Sequence, residues 1–172
     1  LELLARWNAK INLTALPVQA PTDAALDKLL VEPVVAARHF PLMAKTWIDL
    51  GSGGGSPALP LRLACQQGSL VLVEARERKC AFLREAIRTL ELERTSVMNT
   101  RFEALQVSSP VDVVTVRAVR IDGEMEALVR RILRVGGLLF CFGTPLASSA
   151  FVTTGEATLP DESVLTIASR AV

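Results

Sequence analysis

Residues 48–61, Ile-Asp-Leu-Gly-Ser-Gly-Gly-Gly-Ser-Pro-Ala-Leu-Pro-Leu, hold four of the chain's ten glycines within five positions. An apolar run leads in and a Ser-Pro pair leads out. Gly51, Gly53 and Gly55 suit a sharp turn that must also let a ligand approach the main chain, because side chains obstruct both. Ser56 is the expected N-cap of a following helix, with Pro57 in its first turn. Glu74 closes the next apolar run, about twenty residues on, where a carboxylate can accept both hydroxyl hydrogen bonds of a ribose. These residues predict a nucleoside-containing cofactor at the carboxyl edge of a parallel sheet.

Two cofactors compete for that loop. Residues 53–58 satisfy G-x-G-x-x-G/A, the dinucleotide fingerprint, and residues 51–55 satisfy the tighter G-x-G-x-G turn usual in S-adenosylmethionine enzymes. The expressions alone do not decide. Three features favour the methyl donor. Asp49 stands just before the loop, where it could serve the cofactor's polar amino-acid end or brace the turn. Pro57 removes one of the helix N-terminal N–H groups that a pyrophosphate needs. The end of the chain reads as an antiparallel pair, which suits a seven-stranded methyltransferase sheet better than a nicotinamide fold.

The elements that position these residues follow from periodicity. From residue 46 onward, short apolar runs alternate with helix-length segments: Thr46–Leu50, Leu70–Ala75, Ser96–Thr100, Asp112–Val116 and Leu138–Phe142. Their continuous apolar character predicts strands covered on both faces. Leu83, Ala86, Ile87 and Leu90 make one helical stripe. Met125, Leu128, Val129, Ile132 and Leu133 make another, with Gly136-Gly137 as the expected stop. Phe151–Leu159 and Val164–Arg170, joined by Pro160–Ser163, read as two antiparallel strands. The expectation is an α/β, doubly wound, Rossmann-like sheet of seven strands ordered 3-2-1-4-5-7-6 with strand 7 antiparallel. Ahead of it, Leu3, Leu4, Trp7 and Ile11 form a helix that Asn12-Leu13-Thr14 ends. A second helical stretch runs from Thr22 to Phe40, broken near Glu32-Pro33. The organisation expected is one domain over 1–172, with a helical cap over 1–45 and a cofactor-binding core over 46–172.

Composition narrows the class. The chain has 172 residues, a formal net charge of +1, half of its residues apolar and no Tyr. A near-neutral charge gives no overall pull toward nucleic acid, so such a partner must be met by a local patch. Cys65, Cys80 and Cys141 are irregularly spaced with no Cys-x-x-Cys pair, so neither a metal site nor a disulfide framework is expected, and a reducing cytoplasm is the default. No apolar run approaches a membrane span. No signal peptide is legible, but the chain opens without Met and already inside a helical pattern. A monomer is expected.

Trp7-Asn8-Ala-Lys-Ile-Asn12-Leu-Thr14, Asp49–Leu61, Glu74–Lys79 with Ala81-Phe-Leu-Arg-Glu85, Arg101-Phe-Glu103 and Thr115-Val-Arg117-Ala118-Val119 together resemble the motifs of the glucose-inhibited division protein B family over nearly the whole chain. That resemblance implies an enzyme that methylates N7 of a guanine in small-subunit (16S) ribosomal RNA with S-adenosylmethionine. Carried over, it implies cofactor contacts at Gly51, Ser56, Phe102, Glu103 and Arg117, to which the loop and ribose arguments add Asp49, Gly53, Gly55 and Glu74. Arg117 would stand at the methyl-transfer end. The chain departs from the family pattern in several places. Ser56 stands for a large apolar residue and Ala58 for Gly. Leu29 and Glu32 replace the histidine and the acid of an N-terminal segment, and Cys141-Phe142 replaces a lysine.

The chemistry of the acceptor is consistent with this. None of the three cysteines lies in the loop after the fourth strand, as activation of a pyrimidine ring carbon requires. That loop, Val116-Arg-Ala-Val-Arg120, also lacks the Asn/Asp-Pro-Pro-aromatic motif that serves exocyclic amines. Guanine N7 carries an in-plane lone pair and no proton, so it needs alignment and desolvation rather than a base. Glu32 is a candidate for stabilising the cationic product. Arg6, Lys10, Arg38, His39 and Arg120 form the candidate RNA patch. Arg76, Arg78, Lys79, Arg84 and Arg88 read as a solvated helix face, and Trp7 as core. Arg117 could instead be a structural ion-pair partner of Asp49 or Glu74. The rival functions are methylation of another base or a small molecule, a nicotinamide dehydrogenase, and a non-catalytic RNA-binding module.

Overall fold

The structure is a computed structural model that describes residues 1–118, 121, 123–143, 146 and 148–171. Its centre is a seven-stranded sheet of β1 (Thr46–Leu50), β2 (Ser69–Glu74), β3 (Thr95–Asn99), β4 (Val111–Arg117), β5 (Leu133–Phe142), β6 (Phe151–Thr158) and β7 (Val164–Arg170). The order is β3-β2-β1-β4-β5-β7-β6. The first five strands pair in parallel, and β7 runs antiparallel to both β5 and β6. This is the expected topology, and the antiparallel end follows from the short turn that joins β6 to β7 without a helix. The helices are α1 (Glu2–Asn8), α2 (Asp23–Leu26), α3 (Glu32–Ala37), α4 (Ala58–Ala64), α5 (Glu77–Thr89) and α6 (Gly123–Ile132).

Strand alternation sorts the core into two layers. Trp47, Val113, Phe140, Phe142, Leu165 and Ile167 face one side, against residues of α1, α3, α4 and α5. Ile48, Leu50, Val114, Val116, Leu139 and Cys141 face the other, against Met125, Leu128, Val129 and Ile132 of α6. Asp49 and Arg117 share the first face, because Asp49 is paired with Thr115 across β1 and β4 and Arg117 lies two residues beyond Thr115.

Several local expectations are corrected. The stretch 22–40 is not broken at Pro33. Residues Asp27–Val31 form a π-helix between α2 and α3, so the chain stays helical from Asp23 to Ala37. The wider turn lets the Glu32 N–H reach the Asp27 carbonyl, and Pro33 sits in the first turn of α3, where its missing N–H matters least. Ser56 does not cap α4, which starts at Ala58 after a cis Ser56–Pro57 bond. Gly136-Gly137 does not follow a helix stop. α6 ends at Ile132, and β5 begins at Leu133 with an irregularity between the Val111 and Val113 pairings. The first helix also stops at Asn8, earlier than Asn12: Asn8 Oδ1 accepts the N–H groups of Leu13 (2.9 Å) and Thr14 (3.0 Å), which turns the chain there.

Candidate functional site

The glycine run leaves β1 and folds over the end of β2. The N–H groups of Gly51 and Ser52 both donate to the Val73 carbonyl, at 2.9 and 3.1 Å. The Gly53 N–H donates to Glu74 Oε2 at 3.1 Å, and the Arg76 N–H to Glu74 Oε1 at 2.8 Å. Glu74 therefore braces the loop with one amide on each oxygen, and each oxygen retains accepting capacity. The glycines differ in what excludes a side chain. A Cβ on Gly55 (φ 87°) would lie 2.5 Å from Leu59 Cδ1, so that glycine is required by packing. A Cβ on Gly53 (φ 49°) would meet nothing nearer than 3.6 Å among the described residues. A side chain at Gly53 would thus meet only ordinary van der Waals contacts, with the Gly51 carbonyl and Lys79 Nζ, so packing does not exclude it there as it does at Gly55.

A polar row crosses the sheet beneath the loop. Asp49 is 1% exposed. Its Oδ1 accepts from Thr115 Oγ1 at 2.5 Å, and its main-chain carbonyl accepts from Ser52 Oγ at 3.2 Å. Its Oδ2 is buried without a partner among the described residues. Burial pushes the carboxyl up to about 6, against the opposing effects of the Thr115 and Ser52 hydroxyls and the Arg117 charge. A buried acceptor left unpaired is costly, and such atoms concentrate where a ligand completes the set.

Arg117 ends β4 next to this row. Its Nη1 donates to Ser56 Oγ (2.9 Å) and to the Lys28 carbonyl (2.5 Å). Its Nη2 donates to Glu32 Oε2 at 2.6 Å, and its guanidinium carbon lies 4.6 Å from the centre of the Phe142 ring. Burial lowers the Arg117 pKa while the Glu32 charge opposes that change. Burial raises that of Glu32, opposed by Arg117 and Lys28. The carbonyls of Lys28 and Leu29 are presented by the π-turn and Pro33: the Glu32 N–H passes over Lys28 to Asp27, and Pro33 has no N–H for Leu29. Ser56 Oγ donates to the Leu29 carbonyl at 3.1 Å. Two expectations change here. The ion-pair partner of Arg117 is Glu32, not Asp49 or Glu74. Glu32 is not a free carboxylate facing an acceptor: it is fully buried, with Oε2 on Arg117 and Oε1 3.3 Å from Lys28 Nζ.

The strand edge thus brings Asp49, Gly51, Gly53, Gly55, Ser56, Glu74 and Arg117 together. Phe102 and Glu103 lie in a 3₁₀ turn after β3. Phe102 packs its half-buried ring against the second core layer, while Glu103 is exposed. Of the RNA candidates, Arg6 is tied to Glu85 Oε1 at 2.6 Å, Lys10 just past α1 and Arg38 just past α3 are exposed, and Arg120 lies outside the described residues. Trp7 is a packing residue, as expected. It donates to Glu85 Oε2 at 2.9 Å and meets Phe82 edge-on at 6.1 Å. Sequence reasoning missed Lys79, whose Nζ lies 4.0 Å from where a Gly53 Cβ would stand. Its place one turn into the helix after Glu74 was a usable signal, masked by the basic run around it. A groove of about 1080 Å³ lies behind the loop, lined by Leu3, Leu29, Leu59, Phe82 and Leu90 among others, and includes neither Asp49, Glu74 nor Arg117. Among the described residues no group of three or more His, Cys, Asp or Glu could hold a metal ion, and no helix is long and apolar enough to cross a membrane.

Comparison with known proteins agrees with this arrangement. Residues 1–153 match the family described as GidB, rRNA small subunit methyltransferase G. A protein named ribosomal RNA small subunit methyltransferase G from Stenotrophomonas maltophilia is 38% identical over 141 residues, covering 81% of this chain and 63% of that protein. One of the same name from Laribacter hongkongensis is 36% identical over 138 residues, 79% of this chain and 63% of its own. The chain therefore spans less than two thirds of the length of these relatives. Among solved structures, a ribosomal protein L11 methylase from Lactobacillus delbrueckii subsp. bulgaricus superposes with a TM-score of 0.68 at 14% identity, covering 81% of this chain and 77% of that one. At that identity it supports the fold alone.

Proposed function

Because the chain belongs to the GidB family, rRNA small subunit methyltransferase G, we propose that it is an S-adenosylmethionine-dependent methyltransferase acting on N7 of a guanine in 16S ribosomal RNA. The observation that carries the cofactor reading is a buried acceptor, Asp49 Oδ2, unpartnered among the described residues, on the same strand-to-loop turn as Gly53, where packing does not require a glycine. An ammonium group suits the first and a ribosyl group the second, with Glu74 one strand over to accept the sugar hydroxyls. Gly51, Gly55 and Ser56 shape the loop, Phe102 and Glu103 would border the adenine, and Arg117 would stand at the reacting end. When bound, the sulfonium supplies an electrophilic methyl group.

The chain's own residues have modest work in such a reaction. Guanine N7 presents its lone pair without losing a proton, so the protein must align the base and exclude water. Asp49 held by Thr115, Glu74 by two backbone N–H groups, and Arg117 by Glu32, Ser56 and the Lys28 carbonyl form a prearranged polar edge that does not reorganise as charge moves. Arg6, Lys10, Arg38 and Arg120 are the proposed phosphate contacts. We read the chain as one domain, a cap over 1–45 on a core over 46–172, working as a monomer in the cytoplasm where ribosomal RNA is modified.

The test uses the whole protein, ribosomal RNA or small subunits from cells with and without the gene, and methyl-labelled cofactor. Transfer only to material from the deletion strain, mapped by mass spectrometry to a guanine N7, is the expected result. Transfer to another atom or to a small molecule would overturn the substrate, and thermal stabilisation by NAD but not by S-adenosylhomocysteine would overturn the cofactor.

A further inference from the structure

Arg117 is more tightly held than a strand-end arginine needs to be. Both terminal nitrogens and one face are engaged by groups from four places in the fold: the Lys28 carbonyl from the π-turn, Glu32 from α3, Ser56 from the glycine loop and Phe142 from β5. Among the described residues, Nε alone of its nitrogens is left without a partner. Glu32 is the sole carboxylate in that set, and it is wholly buried. Its other oxygen lies 3.3 Å from Lys28 Nζ, and Lys28 is in turn ion-paired to Asp161 in the turn between β6 and β7. Burying two opposite charges gains little stability over an apolar pair, because desolvation offsets their attraction. What such a pair does supply is one orientation. The π-turn matters for the same reason, since it presents the Lys28 carbonyl to the guanidinium.

We infer that Glu32 is a positioning residue for methyl transfer: it fixes the plane of the Arg117 guanidinium, so that this cation keeps one orientation at the end of β4. Lys28 Nζ stands behind Glu32, and of the two cap groups on Arg117, the Glu32 carboxylate and the Lys28 carbonyl, the carboxylate alone carries charge. The inference rests on the proposed function, in that Arg117 is the residue served.

Glu32→Gln keeps the shape and one acceptor oxygen and removes the charge. Two readouts separate orientation from mere attachment of the cap. First, with side-chain ¹⁵N labelling, hindered rotation should give separate Nη resonances for Arg117, assigned by their loss in Arg117→Lys. These should merge in Glu32→Gln. Second, methyl transfer to ribosomal RNA should fall about 10- to 100-fold in kcat, as misplacement of a reacting-end group by an ångström would cause. Cofactor affinity should stay within about threefold. Asp161→Asn, which breaks only the partly exposed outer pair, should leave kcat within about twofold. Separate resonances that persist in Glu32→Gln, or an unchanged kcat, would overturn the inference. So would parallel losses of kcat, cofactor affinity and melting temperature, which would mark a structural tie. A wild-type protein with locked Arg117 resonances and no transfer to any RNA would refute the proposed function and leave Glu32 as the residue that orients Arg117.

Discussion

Replacing Asp49 with Asn should separate stability from binding. The Asp49 carboxyl ionises near 3.8 in its ordinary state and at about 6 in the fold, because burial disfavours its charge. Between those values the folded protein holds a proton that the unfolded chain has released, so stability falls as pH rises through this window. The cost is fully present above the folded value, and a rise of that size corresponds to roughly 3 kcal/mol. Asn keeps an oxygen for the Thr115 hydroxyl and does not titrate. Urea denaturation of both proteins from pH 4 to 7 should show the wild type losing about 2–3 kcal/mol more than Asp49→Asn over that range. Other carboxylates cancel in the difference, since both proteins share them. Calorimetric titration with S-adenosylhomocysteine at pH 7.5 should show the opposite preference, with the variant at least about tenfold weaker because a neutral amide cannot pair with an ammonium group. Parallel stability curves would refute the buried-carboxylate reasoning. Equal affinities would refute the assignment of Oδ2 to the cofactor.

The glycines give a second contrast. Gly55→Ala drives a Cβ to 2.5 Å from Leu59 at a left-handed φ of 87°, so it should lower stability by about 2–4 kcal/mol in a denaturant titration. Gly53→Ala meets no described atom within 3.6 Å and should cost only the left-handed strain of about 1–2 kcal/mol, yet weaken cofactor binding; Gly53→Val should abolish it. Arg117→Lys keeps the charge but cannot engage Glu32, Ser56 and the Lys28 carbonyl together, so melting should fall by several degrees and methyl transfer by at least about tenfold. Trp7→Phe removes the donor to Glu85 and should cost about 1 kcal/mol while leaving RNA affinity unchanged at fixed salt.

The parallel sheet was legible because its strands are continuous apolar runs, and the antiparallel end because Pro160–Ser163 is too short to hold a crossover helix. Asp49, the glycines and Glu74 were legible because strand ends and turns impose residue types at fixed spacing. The π-turn was not. Glu32-Pro33 reads as a break when proline is considered alone, and only the tertiary partners of the Lys28 and Leu29 carbonyls make continuation favourable. The Ser56 side chain was misassigned for a related reason. A serine before Pro-Ala looks like a cap, but here its hydroxyl is drawn to Leu29 and Arg117, 27 and 61 residues away. The Glu32–Arg117 pair spans 85 residues and leaves no trace in local pattern.

Three departures from the family pattern, at Glu32, Ser56 and Phe142, meet at one guanidinium. A large apolar side chain at 56 could neither donate to the Leu29 carbonyl nor accept from Arg117. A lysine at 142 would offer a like charge in place of a ring face 4.6 Å away. The acid, the hydroxyl and the ring therefore form one set, and each makes sense only with the others. Independent changes at separate surface sites would instead contribute additively to stability. A double-mutant cycle distinguishes the two. Ser56→Ala and Phe142→Leu each remove a contact to Arg117, and their shared partner should couple them by at least about 0.5 kcal/mol in urea denaturation. Additivity within about 0.3 kcal/mol would mean that Arg117 does not transmit between them and that the three positions diverged separately.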